Sequence, residues 1–273
     1  MGLFPKQMFE GTNWRKKHGE PKNSRQLFQC VFTDQFFSLI PVNLLYLVFY
    51  LPAIAWTAIC LIQLVSAAQA NEAALVLATI NTYTLGLIPC ITLLGPIRGG
   101  MALLMRNWAR EDYTKVFATF FKGVKENWKQ MLLPYFLASL LPMALWSAYQ
   151  MSVGGSYILL IAVAVAAVLY SLILQVYPVL AVTYDLKMRH HFRNAVLLFL
   201  LRPVWFVGVF LGTVFVLALG IVFFAMNPNG GYINLMIPLV YYTCIGLVTG
   251  ELACASLANK VCDAYFKREE AEA

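Results

Sequence analysis

Hydrophobic positions in this chain neither alternate nor keep to one helical stripe; they form long unbroken runs. Six stretches, roughly 37–66, 75–97, 131–150, 157–184, 203–225 and 232–258, approach or exceed the ~20 apolar residues with which a helix crosses the hydrocarbon of a bilayer. Strands of a transmembrane barrel would be about ten residues long and alternate in polarity. Prolines 41, 52, 178 and 238 fall inside the runs, where membrane helices tolerate them if neighbours satisfy the freed carbonyls. The pattern predicts an all-α polytopic membrane protein. It has six transmembrane helices arranged as three hairpins (37–258), an N-terminal arm (1–36) and a C-terminal tail (259–273).

Between the runs, charge is segregated. Lys6, Arg15, Lys16, Lys17, Lys22 and Arg25 lie in the arm, and Arg98, Arg106, Arg110, Lys115, Lys122, Lys125 and Lys129 lie between the second and third spans. Lys187, Arg189, Arg193 and Arg202 lie between the fourth and fifth, and Lys260, Lys267 and Arg268 in the tail. These are all 20 of the basic residues, and the segments near 67–74, 151–156 and 226–231 hold none. Basic residues stay cytoplasmic, so both termini are expected inside. The net charge of +7 is then a matter of topology and anionic headgroups, and no nucleic-acid partner is needed. With 60% hydrophobic and 12% charged residues, the chain cannot clothe a soluble exterior. That excludes a soluble enzyme and a secreted disulfide module.

Three places stand out against the apolar background. Gly95-Pro96-Ile97-Arg98-Gly99-Gly100 concentrates three glycines and a proline, and is expected to break or kink the second span near its inner end. Such a break either ends a helix or lines a site. Next, Phe117, Phe120, Phe121, Val124 and Trp128 recur at helical spacing, with Lys115, Lys122, Lys125 and Lys129 on other faces. They predict a basic amphipathic helix over 113–129 in the cytoplasmic interface, either an in-plane connector or a docking face for a partner. The third is Glu251, the one acidic residue within a span. It should be paired or neutral at that depth. Arg98, at similar depth on another helix, is the natural partner, as a packing ion pair or in proton or substrate coupling.

Other chemistry is sparse. The six cysteines are scattered, none in an outer loop, and no disulfide is expected. His190-His191 has no further His or Cys near it in sequence, so no metal is expected. Lys6 stands where Met1-Gly2 would need Ser or Thr for myristoylation, and the polar first 35 residues do not suggest a signal peptide. No phosphate-cradling loop, Gly-x-Ser-x-Gly or His-Glu-x-x-His motif occurs. No cofactor and no catalytic residues are expected, and the protein is read as a non-enzyme.

Three stretches together resemble the YesL-like family of bacterial integral membrane proteins, a domain of unknown function. They are Asn43 to Pro52; Gly95 to Gly100 running through Arg106-Asn107-Trp108-Ala109-Arg110 and Phe120 to Gln130; and Tyr177 to Asp185 with Arg193-Asn194-Ala195. The likeness covers most of residues 35–210. Ile97 and Gly99 stand where that family usually has small residues in a Gly-Pro-Ala-x-Ala-Gly block, and Arg98 occupies its variable position. The resemblance implies the bacterial plasma (inner) membrane and carbohydrate uptake or utilisation, with no established activity. The large cytoplasmic face, the docking-capable aromatic helix and the lack of an outer receptor surface support an accessory or regulatory component, beside carbohydrate ABC importer subunits or a regulatory membrane protein. The alternatives are a self-contained small-molecule transporter using Arg98 and Glu251, and a permease-like importer subunit. For the latter, Gly123 and Leu133-Pro134 imitate an ATPase-docking loop, but its Glu-Ala-Ala is missing.

Overall fold

A computed structural model describes residues 14–112, 114–153, 155–226 and 231–272; of 16–17, 220–221, 224–226, 231–235 and 263–272 it describes the backbone alone. The arm before Trp14, including Lys6, lies outside the described residues, as do Tyr113, Gly154 and the turn 227–230. Two short helices, α1 (Trp14–His18) and α2 (Ser24–Asp34), precede α3 (Phe36–Gln69) and α4 (Ala73–Ala109). Then come α5 (Val116–Ser139), α6 (Leu141–Ser152), α7 (Ile158–Leu174), α8 (Tyr177–Thr183) and α9 (Met188–Leu201). The last are α10 (Pro203–Met226), α11 (Gly231–Tyr241), a π-helical segment (Tyr242–Gly246) and α12 (Leu247–Glu272). The described residues contain no strand.

Five helices or helix pairs are long and apolar enough to cross a membrane: 36–69, 73–109, 116–152, 158–183 and 236–262. A sixth arises if α9 and α10, which meet at 100°, count as one broken span. Pro142 and Pro178 open α6 and α8, where a missing N–H costs nothing, and so divide two of the spans without ending them. Burial runs opposite to that of a soluble protein. Leu93, Ile158 and Val204 face outward, at 66%, 78% and 80% exposure, whereas Asn43, Thr84, Ser139 and Gln175 are buried. An apolar belt on this scale fits a polytopic membrane protein solvated by lipid.

The second span is not broken at the Gly/Pro cluster. Gly95 to Gly100 do not interrupt α4, which runs for 37 residues, about 55 Å at helical rise. The glycines serve instead as a seam for α5. A Cβ on Gly100 would lie 2.6 Å from the Phe120 carbonyl oxygen, and one on Gly123 would lie 2.9 Å from the Gly100 Cα. Bare backbone lets two membrane helices approach this closely and gain van der Waals contact along their length.

That seam also corrects the amphipathic helix. Residues 116–129 are not a separate in-plane element; they are the first half of α5, packed along α4 and continuous with the third span. The expected stripe is divided accordingly. Phe120 is fully buried against the Gly100 seam and stacks near Phe49, and Val124 packs beside it, while Phe117, Phe121 and Trp128 are half exposed. Helix α9 meets α10 at 100°. It buries His191, Ala195 and Leu198 and exposes Leu197 and Leu200.

The core gathers at the Lys/Arg-rich end. Leu39, Val42 and Tyr46 of α3 meet Met101, Leu104 and Met105 of α4, Leu180 of α8 and Leu252 and Leu257 of α12, all but sealed from solvent. There α1 ties down the α4–α5 turn: Arg15 donates to the Ala109 carbonyl at 2.9 Å and pairs with Glu111, which holds a left-handed backbone.

Candidate functional site

Two polar constellations emerge from this packing. The first joins α4 to α12. Nη2 of Arg98 lies 2.9 Å from Oε1 and 3.0 Å from Oε2 of Glu251, so one guanidinium nitrogen engages the whole carboxylate. Both side chains are about one-fifth exposed, at 21% and 17%. Arg98 also lies over the Tyr135 ring, its Cζ 5.4 Å from the centroid, which spreads its charge onto an aromatic face. The hydroxyls of Tyr46 and Tyr135 and the Nε of Arg98 are buried without a hydrogen-bond partner. A space of about 10 Å³ adjoins Glu251, bounded by Met101, Gln175, Pro178 and Cys254, which is roughly the room for one water.

Glu251 owes its direction to the π-helical segment just before it. A π turn carries an extra residue, so every side chain beyond it is rotated by about 100° relative to a regular helix. Asn43 of α3 holds that turn. Its Nδ2 donates to the carbonyls of Tyr242 (2.7 Å) and Thr243 (2.8 Å), and its Oδ1 accepts from the N–H groups of Leu247 and Val248, both at 3.0 Å. The side chain is completely buried. Asn43 carried no polar-pair signal in the sequence, since a single Asn in an apolar run is ambiguous until its partner is known.

The second constellation is a cleft of about 550 Å³ at the basic end, between α4, α5 and the end of α8. Arg106 and Asn107 come from α4, Thr183 ends α8, and Tyr184 and Asp185 come from the extended turn after it. Thr119, Lys122, Glu126, Asn127 and Gln130 come from α5. Arg106 donates to the Val182 carbonyl at 2.6 Å, one of the orphan acceptors at the C-terminus of α8, and to Oδ1 of Asn107. Tyr177 donates to the Gln130 carbonyl at 2.8 Å and so pins α8 to α5. Lys122 and Glu126 face each other loosely at 4.0 Å. The Oε1 of Gln130 and the Oγ1 of Thr183 are buried and have no partner. The sequence reading passed over this cleft because it followed the aromatics of the same segment. The usable signal was Thr119, Lys122, Glu126 and Gln130, a polar stripe at three- and four-residue spacing beside the apolar one.

The sequence-predicted residues therefore separate. Arg98 and Glu251 meet; Gly95, Gly99 and Gly100 form a packing seam with Pro96 inside an unbroken helix; Phe117, Phe121 and Trp128 stay on the surface. His190 is exposed, whereas His191 is buried edge-to-face against Tyr177 at 6.2 Å. No cluster of three or more metal-ligating side chains occurs among the described residues. The fold is that of an all-helical protein with five to six apolar helices, as a multi-pass membrane protein has. The chain matches no family, no curated protein and no solved structure, so its likeness to the YesL-like family rests on the residues quoted above.

Proposed function

We propose that this is a bacterial plasma-membrane protein with both termini in the cytoplasm, and that it acts as an accessory or regulatory component of carbohydrate uptake. The observation that carries this reading is the location of polar space. A conduit built on Arg98 and Glu251 needs room for substrate beside them, yet among the described residues the pair is closed on itself with space for about one water. The roomy polar cleft opens instead at the Lys/Arg-rich end. The positive-inside rule supports placing that end in the cytoplasm. Carbohydrate uptake comes from the resemblance alone. The half-exposed Phe117, Phe121 and Trp128, on a helix that continues past the hydrocarbon, supply aromatic anchors for an importer subunit or regulator.

The orientation has a direct test. In a background without the six native cysteines, Gly155→Cys should react with an impermeant maleimide on whole cells and His190→Cys should not. Gly155 is exposed and has nothing within 4 Å of an added Cβ, so the probe itself is tolerated. Labelling of His190→Cys from outside would invert the topology. The partner role is tested by Phe117→Ser with Phe121→Ser. Both side chains are 50% or more exposed, so the double variant should remain inserted and monodisperse while losing the importer or regulator that co-purifies with the wild type. Retention of the same partners would return these rings to lipid.

A further inference from the structure

We infer that the cleft between α4, α5 and α8 is a binding site for an uncharged, polyhydroxylated small molecule of mono- or disaccharide size. Its volume of about 550 Å³ is in the range of small-ligand sites. The chemistry of its wall selects the class. Two cations, Arg106 and Lys122, stand against two anions, Glu126 and Asp185, so the lining itself carries no net formal charge. Arg106 is engaged by the Val182 carbonyl and Asn107, while Lys122 stands 4.0 Å from Glu126. Among the buried polar atoms of the lining, those without a partner are neutral, namely the Gln130 amide oxygen and the Thr183 hydroxyl.

A buried polar atom with no partner is costly, and a native fold keeps one where something else completes it. Both atoms belong to residues lining the cleft, and each is itself sealed from solvent. Hydroxyl groups suit this wall because each donates once and accepts twice, and vicinal hydroxyls can bridge neighbouring amide and carboxylate groups. Leu103 and the Tyr184 ring add the apolar patch against which the C–H face of a sugar ring can lie.

The inference gives the proposed function its ligand class and rests on reading the basic end as the working end. It can nevertheless fail separately, because it concerns binding to the purified chain and not the capture of a partner. Full-length protein in lipid nanodiscs would be titrated calorimetrically with a hexose, a pentose, a hexitol and a disaccharide, each up to high millimolar concentration. Inorganic phosphate and a zwitterionic amino acid serve as comparison ligands. At least one neutral polyol should bind saturably. Thr183→Val, which keeps shape and removes the hydroxyl, should weaken it about tenfold, as expected when one buried hydrogen-bonding group is left unmatched. Asn127→Leu should do the same from the α5 side, and melting curves without ligand should show both variants folded. No heat from any of the four polyols overturns the inference. So does binding confined to phosphate or the amino acid, or polyol binding that both variants leave unchanged. If polyol binding holds while the Phe117→Ser, Phe121→Ser protein keeps its partners, the cleft stands and only the docking role falls.

Discussion

Replacing Asn43 by Leu is expected to destabilise the detergent-solubilised protein by about 2–4 kcal/mol. Side-chain hydrogen bonds in membrane proteins average about 0.6 kcal/mol and reach about 1.7, and this one amide makes four. Leu has the same branching as Asn and is somewhat larger, so the substitution leaves no cavity. Either the carbonyls of Tyr242 and Thr243 stay unsatisfied in an apolar interior, or the π turn closes into regular helix. The second outcome would swing Glu251 by about 100° away from Arg98. Asn43→Asp, neutral at that depth, keeps an acceptor and one hydroxyl donor, and should fall between wild type and Leu. A Leu variant melting within about 0.5 kcal/mol of wild type, the range of an inconsequential surface change, would remove Asn43 from this role.

Glu251→Gln and Arg98→Gln form the second large effect. Removing one member of a fully buried ion pair costs about 3–5 kcal/mol because the other charge is stranded. Here one-fifth of each side chain remains exposed, so about 2–3 kcal/mol is the reasonable expectation for each single change. The double variant should fall short of the sum by about 1–2 kcal/mol, since the second substitution relieves the charge stranded by the first. Simple additivity in thermal melts would show that the contact, though close, carries no coupling. The two experiments interlock. If Asn43 aims Glu251, the Arg98–Glu251 coupling measured in the Asn43→Leu background should shrink toward zero.

What the sequence by itself determined is whatever is local and additive along the chain. The transfer free energy of twenty consecutive apolar residues does not depend on neighbours, so 37–66 and 75–97 read as spans before any packing is known, and α3 and α4 contain them. The cost of a charge in lipid is equally local, and it singled out Glu251 and nominated Arg98 as its partner. Tertiary structure decided the rest. Glycine signals a break in an isolated helix, but Gly100 meeting Phe120 and Gly123 makes a seam inside a helix that runs on through it. The same seam stood 116–129 upright beside α4, buried Phe120 and left Phe117 and Phe121 outside. The cleft lies one step further from the sequence. Gln130 and Thr183 are 53 residues apart, and they line one space only because Tyr177 pins α8 to α5 while Arg106 caps α8 from α4. Periodicity says which side of a helix is polar; which other helix that side meets is set by close packing between distant segments, a property of pairs of surfaces and not of either one alone.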